Sequence, residues 1–292
     1  MNKNILVPLL LVTLVVFLSG CEVAPSAGGQ AAGVVVTSFG PDIPEIYSGD
    51  SVTFNLMVEN LGEEDATGVQ AKLFGLGTDW TWTSGYRNVN PTTLLKSQPE
   101  FKVPGGVGDY QWNADSPDDL RVDTTYTAAV RVKYAYETTA YGSIKLYHKD
   151  YLKTRPEEAA SIMRSSGIES FSVTKAPITV SLTGVARPIV SAGGTPASIA
   201  ILIENIGPGT PFSGGTTEDD MTITIDKFTV GTTTCVSADT TKRLPRGGTG
   251  SVSCTFIVPS FTDFTTLPVS VELSYSYFID ASSSIKVFRQ IS

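Results

Sequence analysis

Apolar and polar residues alternate in several short segments of this chain. From Val52 to Val58 every second residue is apolar, and the residues between them are mostly polar. The same apolar phase returns from Ala197 to Ile203. Because successive side chains of a strand point to opposite faces of a sheet, this period of two predicts β-strands with one buried face.

Two further segments alternate over a greater length. Arg131 and Lys133 fall on the polar face of the first segment. The apolar residues of the two segments are Ala128, Val130, Val132, Tyr134 and Tyr136, then Val269, Val271, Leu273, Tyr275 and Tyr277. Short runs of strand-forming residues separated by Gly, Pro, Ser and Asp continue along the chain, and this pattern predicts an all-β protein.

The chain carries the same unit twice. The tetrapeptide Glu59–Gly62 returns as Glu204–Gly207, 145 residues later. The Tyr-x-Tyr motif at Tyr134 returns at Tyr275, 141 residues later. Two copies are too few for a solenoid, so the nearly constant offset predicts two tandem β-sandwiches.

The segments VENLGEEDATGV and IENIGPGTPF, which contain these tetrapeptides, resemble the cell-adhesion-related (CARDB-type) immunoglobulin-like domains of archaeal and bacterial surface proteins. The two Tyr-x-Tyr pairs resemble those of uncharacterised archaeal surface proteins. The resemblance implies an immunoglobulin-like fold and the role of a binding or spacer module without catalysis.

The predicted fold is therefore two tandem immunoglobulin-like β-sandwiches, residues 34–149 and 175–292, joined by a helix-containing linker at residues 150–174. Within the linker, Thr154 and Glu157 have the spacing of a helix capping box, and Gly167 suits a helix end. We expect a helix over about residues 155–166. It either packs where the sandwiches meet or is a solvated linker.

The N-terminus resembles the signal peptide of a prokaryotic lipoprotein. A cation at Lys3 precedes an apolar stretch from Ile5 to Leu18, and Leu18-Ser19-Gly20-Cys21 has the pattern of a lipobox. The resemblance implies cleavage after residue 20, a diacylglyceryl thioether on Cys21 and a flexible stalk over residues 21–33. We expect an extracytoplasmic protein anchored to the membrane. The alternative is an uncleaved transmembrane helix, because Ile5–Cys21 just reaches spanning length.

Cys235 and Cys254 are the two cysteines outside the lipobox. An even pair in an exported protein predicts one disulfide, and two buried free thiols are the alternative.

The composition favours a non-catalytic protein. A net charge of −8 excludes a basic nucleic-acid surface. The single histidine, His148, is expected at the surface, so no catalytic triad, metal site or cofactor is predicted. Three acidic clusters are expected to be solvated turns, with Ca²⁺ binding left open. They are Glu63–Asp65, Asp115 with Asp118–Asp119, and Glu218–Asp220.

Large aromatic residues concentrate in the first copy. Trp80, Trp82 and Trp112 lie there together with Tyr86 and Tyr110. If Trp80 and Trp82 share an exposed strand face, the cluster is a platform that stacks on a sugar or on a protein partner. The alternative is a sandwich core filled by tryptophan.

Together these features predict a lipid-anchored surface protein that acts as a binding, adhesion or structural module of the cell envelope. Its expected partners are the membrane and, beyond it, envelope polysaccharide or other surface proteins. The alternatives are an envelope hydrolase or its accessory subunit, and a filament or lattice subunit that assembles through strand edges.

Overall fold

The structure is a computed structural model that describes residues 33–84, 92–213, 218, 220–236 and 240–289. These residues form a β-sandwich-like, all-β fold, which confirms the predicted class. The predicted signal peptide, Cys21 and Tyr86 lie outside the described residues. In the described part of the chain, no helix has the length and apolarity needed to cross a membrane.

Eighteen strands, two short α-helices and one 3-10 helix (Pro99–Phe101) are described. The first copy contains β1 (Val34–Pro41), β2 (Glu45–Tyr47), β3 (Ser51–Asn60), β4 (Ala66–Phe74), β5 (Thr81–Ser84), β6 (Thr92–Leu94), β7 (Val107–Asp115) and β8 (Thr124–His148). Helices α1 (Lys149–Thr154) and α2 (Pro156–Ile162) follow. The remaining strands are β9 (Ile168–Val173), β10 (Ile178–Thr183), β11 (Ile189–Ser191), β12 (Pro196–Asn205), β13 (Thr210–Phe212), β14 (Thr222–Val230), β15 (Thr233–Val236), β16 (Thr240–Arg243), β17 (Thr249–Ile257) and β18 (Phe264–Phe288).

The strands form three sheets. The order β1-β3-β7-β5 makes a four-stranded sheet, and β10-β12-β17 makes a three-stranded sheet. The largest sheet has eleven strands, with the order β15-β14-β18-β8-β4-β6 along its main path. Its two middle strands, β8 and β18, hold the fold together.

Strands β8 and β18 are each 25 residues long, whereas strands of globular proteins usually have 3–10 residues. They pair antiparallel without interruption from Tyr147–Phe264 to Thr124–Val287. At about 3.3 Å per residue such a strand extends about 80 Å, far enough to serve more than one sandwich.

Each long strand leaves its own copy and ends in the other. The last residues of β8 pair in parallel with β11 of the second copy. The last residues of β18 pair in parallel with β2 of the first copy. The two copies therefore exchange strand ends in a symmetric way.

The pairing has a pseudo-two-fold axis. Ala135 of β8 pairs with Ser276 of β18, and these two residues are also equivalent by the repeat offset of 141. On either side of this pair, Tyr134 lies opposite Tyr277 and Tyr136 lies opposite Tyr275. The duplicated Tyr-x-Tyr motifs thus meet each other at the axis.

The strand exchange joins the two predicted sandwich domains by backbone pairing. The described residues fall in one compact unit, and both long strands pair with strands of the other copy. The boundaries at residues 149 and 175 stay a prediction from the sequence repeat.

The predicted linker is partly helical. The expected helix over residues 155–166 is present over Pro156–Ile162, it follows α1, and none of its residues is fully buried. This exposure agrees with the solvated alternative. Strand β9, which pairs with β8, was not predicted and lies in the rest of the linker.

The four axial tyrosines are buried, and the hydroxyls of Tyr136, Tyr275 and Tyr277 make hydrogen bonds. Tyr277 donates to Asn205 Oδ1 at 2.8 Å and accepts from the Gly209 backbone at 3.0 Å. In the first copy, Tyr136 donates to Asn60 Oδ1 at 3.4 Å and accepts from the Glu64 backbone at 3.2 Å. The two networks are equivalent, so the duplicated asparagines and tyrosines are partners.

The glycine of each tetrapeptide belongs to the same arrangement. A Cβ at Gly62 would collide with the Tyr136 hydroxyl, and one at Gly207 would collide with the Tyr277 hydroxyl. The Glu-Asn-x-Gly and Tyr-x-Tyr motifs therefore recur together because the turn packs directly on the tyrosine.

The predicted disulfide is confirmed. Cys235 in β15 is bonded to Cys254 in β17, with 5.0 Å between their Cα atoms. Since β15 belongs to the large sheet and β17 to the three-stranded sheet, the bond links the two layers of the second copy.

The asparagine–tyrosine pair can be tested by a double-mutant cycle. Asn205→Ala and Tyr277→Phe should each lower the free energy of unfolding by about 1–3 kcal/mol, because each leaves a buried polar partner unsatisfied. The double variant should lose less than the sum of the two. Urea unfolding measures the three values, and Tyr141→Phe, at an exposed tyrosine, should change stability little. Additive losses would contradict the coupling.

Reduction of Cys235–Cys254, which closes a separation of 19 residues, should lower stability by about 3 kcal/mol on the chain-entropy model. Because β8 and β18 run through both copies, calorimetry of the reduced protein should still show a single transition at lower temperature. Early melting of the second copy alone would contradict the shared-strand arrangement.

Candidate functional site

Most of the predicted aromatic platform lies in the core. Trp80 is 3% exposed, Tyr110 3% and Trp112 0%. The Trp80 ring lies 5.4 Å from the ring of Tyr126 and meets it edge-on. Tyr110 stacks on Trp112 with 6.4 Å between the ring centroids. These three residues therefore fit the core alternative, and Trp80 also borders the open groove described next.

The expectation that Trp80 and Trp82 share a face rested on a continuous strand. Strand β5 begins at Thr81, so Trp80 precedes the strand and follows the turn at Thr78–Asp79. Trp82 is partly buried and packs against the core. Together with the exposed Phe74 it borders an open groove of about 630 Å³. Of the predicted aromatic platform, this groove is the part among the described residues that a ligand could reach.

A second cleft, of about 460 Å³, lies at the pseudo-two-fold axis. We call it the axial cleft. Ala135 and Ser276, the axial pair, form part of its lining. Both copies contribute to its sides, through the residues after β3 and β6 and through those around β13 and β14. These residues are Glu64, Asp65, Thr67, Lys96, Phe212, Ser213, Thr222 and Thr224.

The axial cleft is lined largely by hydroxyl groups. Ser274 and Ser276 supply two from β18, and the threonines of β4 and β14 supply others. The Thr222 hydroxyl is buried and has no hydrogen-bond partner among the described residues. Hydroxyls both donate and accept, so this lining suits a neutral, polyhydroxylated ligand.

Glu64 is a carboxyl group of the cleft with a displaced pKa. Burial raises the pKa of this carboxyl, the Lys96 ammonium 3.9 Å away lowers it, and the carboxylate of Glu137 raises it further. The net result is a raised pKa. Because Asp65 and Glu137 also line the cleft, three carboxyl groups share this space.

The acidic clusters bind groups of this chain. Glu63 accepts a hydrogen bond from the Lys175 backbone, and Asp220 accepts from the backbones of Ser213 and Thr222. The prediction of solvated turns therefore misses their structural bonds. Asp219 lies outside the described residues, which contain no group of three or more acidic, histidine or cysteine side chains placed to hold a metal ion.

An ionic cluster that sequence reasoning missed lies beside the axial cleft. Arg131 makes two hydrogen bonds to Asp280, its direct partner on β18, at 2.7 and 2.8 Å. Its guanidinium also lies over the Phe278 ring, and Glu218 pairs with both Arg131 and Lys133. Hydrogen bonding to Asp280 raises the pKa of Arg131. The cluster fastens the exchanged end of β18 to β8.

His148 has a structural role. Its Nδ1 accepts a hydrogen bond of 3.2 Å from the Asp150 backbone and so caps the N-terminus of α1. The side chain is 16% exposed and meets the Phe261 ring edge-on. It is therefore more buried than expected.

Comparison with known proteins assigns no family. No family model matches the chain, and no curated protein sequence matches it. Among solved structures, the secreted serine protease VesC from Vibrio cholerae aligns at 12% identity and a TM-score of 0.22, over 86% of this chain and 51% of VesC. This chain thus spans about half the length of that structure.

Two further structures align equally weakly. The D0-D1 domain of Intimin has 12% identity and a TM-score of 0.20, over 87% of this chain and 98% of that one. A protein of unknown function from Porphyromonas gingivalis has 11% identity and a TM-score of 0.19, over 90% of this chain and 100% of that one. The chain is similar to these proteins only at a level that carries no functional argument.

The core position of the tryptophans predicts how substitutions affect stability. Trp112→Ala should lower the free energy of unfolding by about 3–5 kcal/mol, because it opens a cavity in a packed core. Trp82→Ala, at a partly buried site, should cost clearly less. Equilibrium unfolding in urea measures both. Equal losses would contradict the different burial of the two residues.

Proposed function

We propose that this chain is a lipid-anchored, extracytoplasmic protein that acts without catalysis, as a stiff structural module of the cell envelope that also binds a ligand. In this proposal the two copies are immunoglobulin-like sandwiches of the CARDB type. The observation that carries the proposal is the exchange of β8 and β18. Motion between the copies would require breaking a ladder of 24 residue pairs.

Several features support this role. A module that holds other groups at a fixed distance from a membrane needs stiffness, and continuous strands supply it. The Arg131–Asp280 pair and the four buried tyrosines add side-chain contacts across the exchanged strands. The Cys235–Cys254 disulfide suits an oxidising compartment outside the cytoplasm.

The binding part of the proposal rests on the axial cleft. Its hydroxyls, its carboxylates and the ammonium of Lys96 are groups that hydrogen-bond sugar hydroxyls. We therefore propose envelope saccharides as the ligand class. The cleft takes the place of the tryptophan platform that the sequence suggested.

The anchor is tested by Cys21→Ser. If two acyl chains on Cys21 hold the protein to the membrane, the variant should appear in the soluble fraction or remain unprocessed, because two chains suffice for stable anchoring. Cell fractionation and intact-mass measurement of the wild-type chain provide the readout. Unchanged mass and unchanged membrane retention would contradict the lipid anchor.

The cleft is tested by matched substitutions on one face of β18. Ser276→Val removes a hydroxyl from the cleft, whereas Ser282→Val changes an exposed serine outside it. Binding to an array of envelope polysaccharides should weaken about tenfold for Ser276→Val, as expected for one lost hydrogen bond, and stay unchanged for Ser282→Val. Equal binding by both variants would exclude the axial cleft as the saccharide site.

The raised pKa of Glu64 favours one second candidate, an envelope glycoside hydrolase. A carboxyl with a raised pKa beside a second carboxylate can supply a general acid and its partner. Release of reducing sugar from envelope polysaccharide, abolished by Glu64→Gln, would establish this activity. Saccharide binding without turnover would exclude it.

A further inference from the structure

The first copy carries an exposed apolar hairpin between β6 and β7. We call residues 95–107 the apolar hairpin. Gly106 donates to the Leu95 carbonyl at its base, and Gln98 bridges to Val103 near its tip. Phe101 at the tip is 74% exposed and Leu95 is 63% exposed. Val103 and Val107 are also exposed, so the hairpin presents four apolar side chains to solvent.

The second copy has no counterpart of this hairpin. The equivalent connection, residues 244–248 between β16 and β17, closes in five residues. Both connections end in Gly-Gly, at Gly105-Gly106 and at Gly247-Gly248, and in both copies the next strand begins directly after the pair. The first copy, which follows the N-terminal segment, therefore carries extra residues at this connection that the second copy lacks.

The insertion lies beside the point where the chain enters the fold. Gly33, the first described residue, accepts a hydrogen bond of 2.9 Å from the Leu61 backbone. Ser97 of the apolar hairpin donates to the carbonyls of Leu61 and Gly62. Leu61 is itself exposed. The entry point and the base of the hairpin thus share the turn that follows β3.

The length of the preceding segment limits the distance to the proposed anchor. Eleven residues separate Cys21 from Gly33. Even fully extended they span at most about 40 Å, so a lipid on Cys21 keeps the entry point, and with it the apolar hairpin, near the membrane. Phe101 lies between Glu100 and Lys102, and a large apolar residue next to a lysine is found in segments that enter a membrane interface.

We propose that the apolar hairpin is a second membrane contact, in which Phe101 and its apolar neighbours enter the lipid surface to which Cys21 is tethered. This inference rests on the lipid anchor proposed above. Lys102, a non-glycine residue at a φ of 56°, lies in the left-handed region and turns the chain directly after Phe101. Two attachment points would also fix the orientation of the stiff module on the membrane.

The test places a fluorophore on the full chain. Phe101→Cys and, as a matched control, Val122→Cys each introduce a thiol at an exposed apolar position. Val122 lies just before β8, and Tyr134 of that strand packs near the entry point at Gly33. The twelve residues from Val122 to Tyr134 correspond to about 40 Å along a strand, so the control label is far from the entry point. Each variant is labelled with NBD and reconstituted into phosphatidylcholine–phosphatidylglycerol vesicles with and without doxyl-labelled lipid.

The expected result is stronger doxyl quenching of the label at position 101 than at position 122, by about twofold or more, with blue-shifted emission. Equal quenching of the two labels on protein that floats with the vesicles would overturn the hairpin contact and leave the anchor intact. Blue-shifted emission at position 101 without doxyl quenching would also overturn it, in favour of contact with a second copy of the chain.

Adding Cys21→Ser separates the two proposals. If that protein still floats and position 101 is still quenched, the hairpin contact stands without the anchor. If the Cys21→Ser protein no longer floats with the vesicles, the quenching measured on the protein that retains Cys21 decides whether the hairpin contacts the membrane. If the chain with Cys21 also fails to float, and Cys21 itself takes up the label, both the anchor and the hairpin contact are overturned.

Discussion

The register between β8 and β18 is the constraint on which the rest of the structure depends. It places Ala135 opposite Ser276 and so brings both Tyr-x-Tyr motifs to one point on the buried face. A slip of one residue would turn every buried side chain of a long strand to the opposite face. It would also move Arg131 away from Asp280. Pairing, core and ionic contacts therefore select the same register.

The buried tyrosines explain why each copy keeps its turn. A phenol hydroxyl without a partner in the core costs free energy, and the asparagine at the end of β3 or β12 supplies that partner. The asparagine also donates to a backbone carbonyl four residues later, at Glu64 or at Gly209. One asparagine side chain thus closes the turn and hydrogen-bonds the tyrosine hydroxyl of the long strand. It thereby connects the local turn motif to the pairing of β8 with β18.

The sequence predicted the parts of the fold that follow a local period. The alternation over Val52–Val58 and Ala128–Tyr136 is present in β3 and β8, and the repeat locates their counterparts. The continuation of β8 beyond Tyr136 was harder to predict, because small and polar residues such as Thr138 and Gly142 replace the large apolar ones. The exchange itself left no local signal, since pairing between residues over a hundred positions apart is decided by tertiary contacts. The sequence left open whether Trp80 lies in the core or on the surface, because alternation alone does not show which face of a strand is buried, and the structure buries it.

The two copies share a frame and differ at two connections, which meet at the axis. The first copy extends the connection before β7 into the apolar hairpin, whereas the second extends the segment between β13 and β14. Lys96 at the base of the first and Ser213 at the start of the second both line the axial cleft. The asparagines and tyrosines that join each turn to a long strand are alike in the two copies, whereas the connections that reach the cleft are not. The symmetric exchange therefore joins the copies through continuous strands, and the asymmetric connections give the axial cleft two different sides.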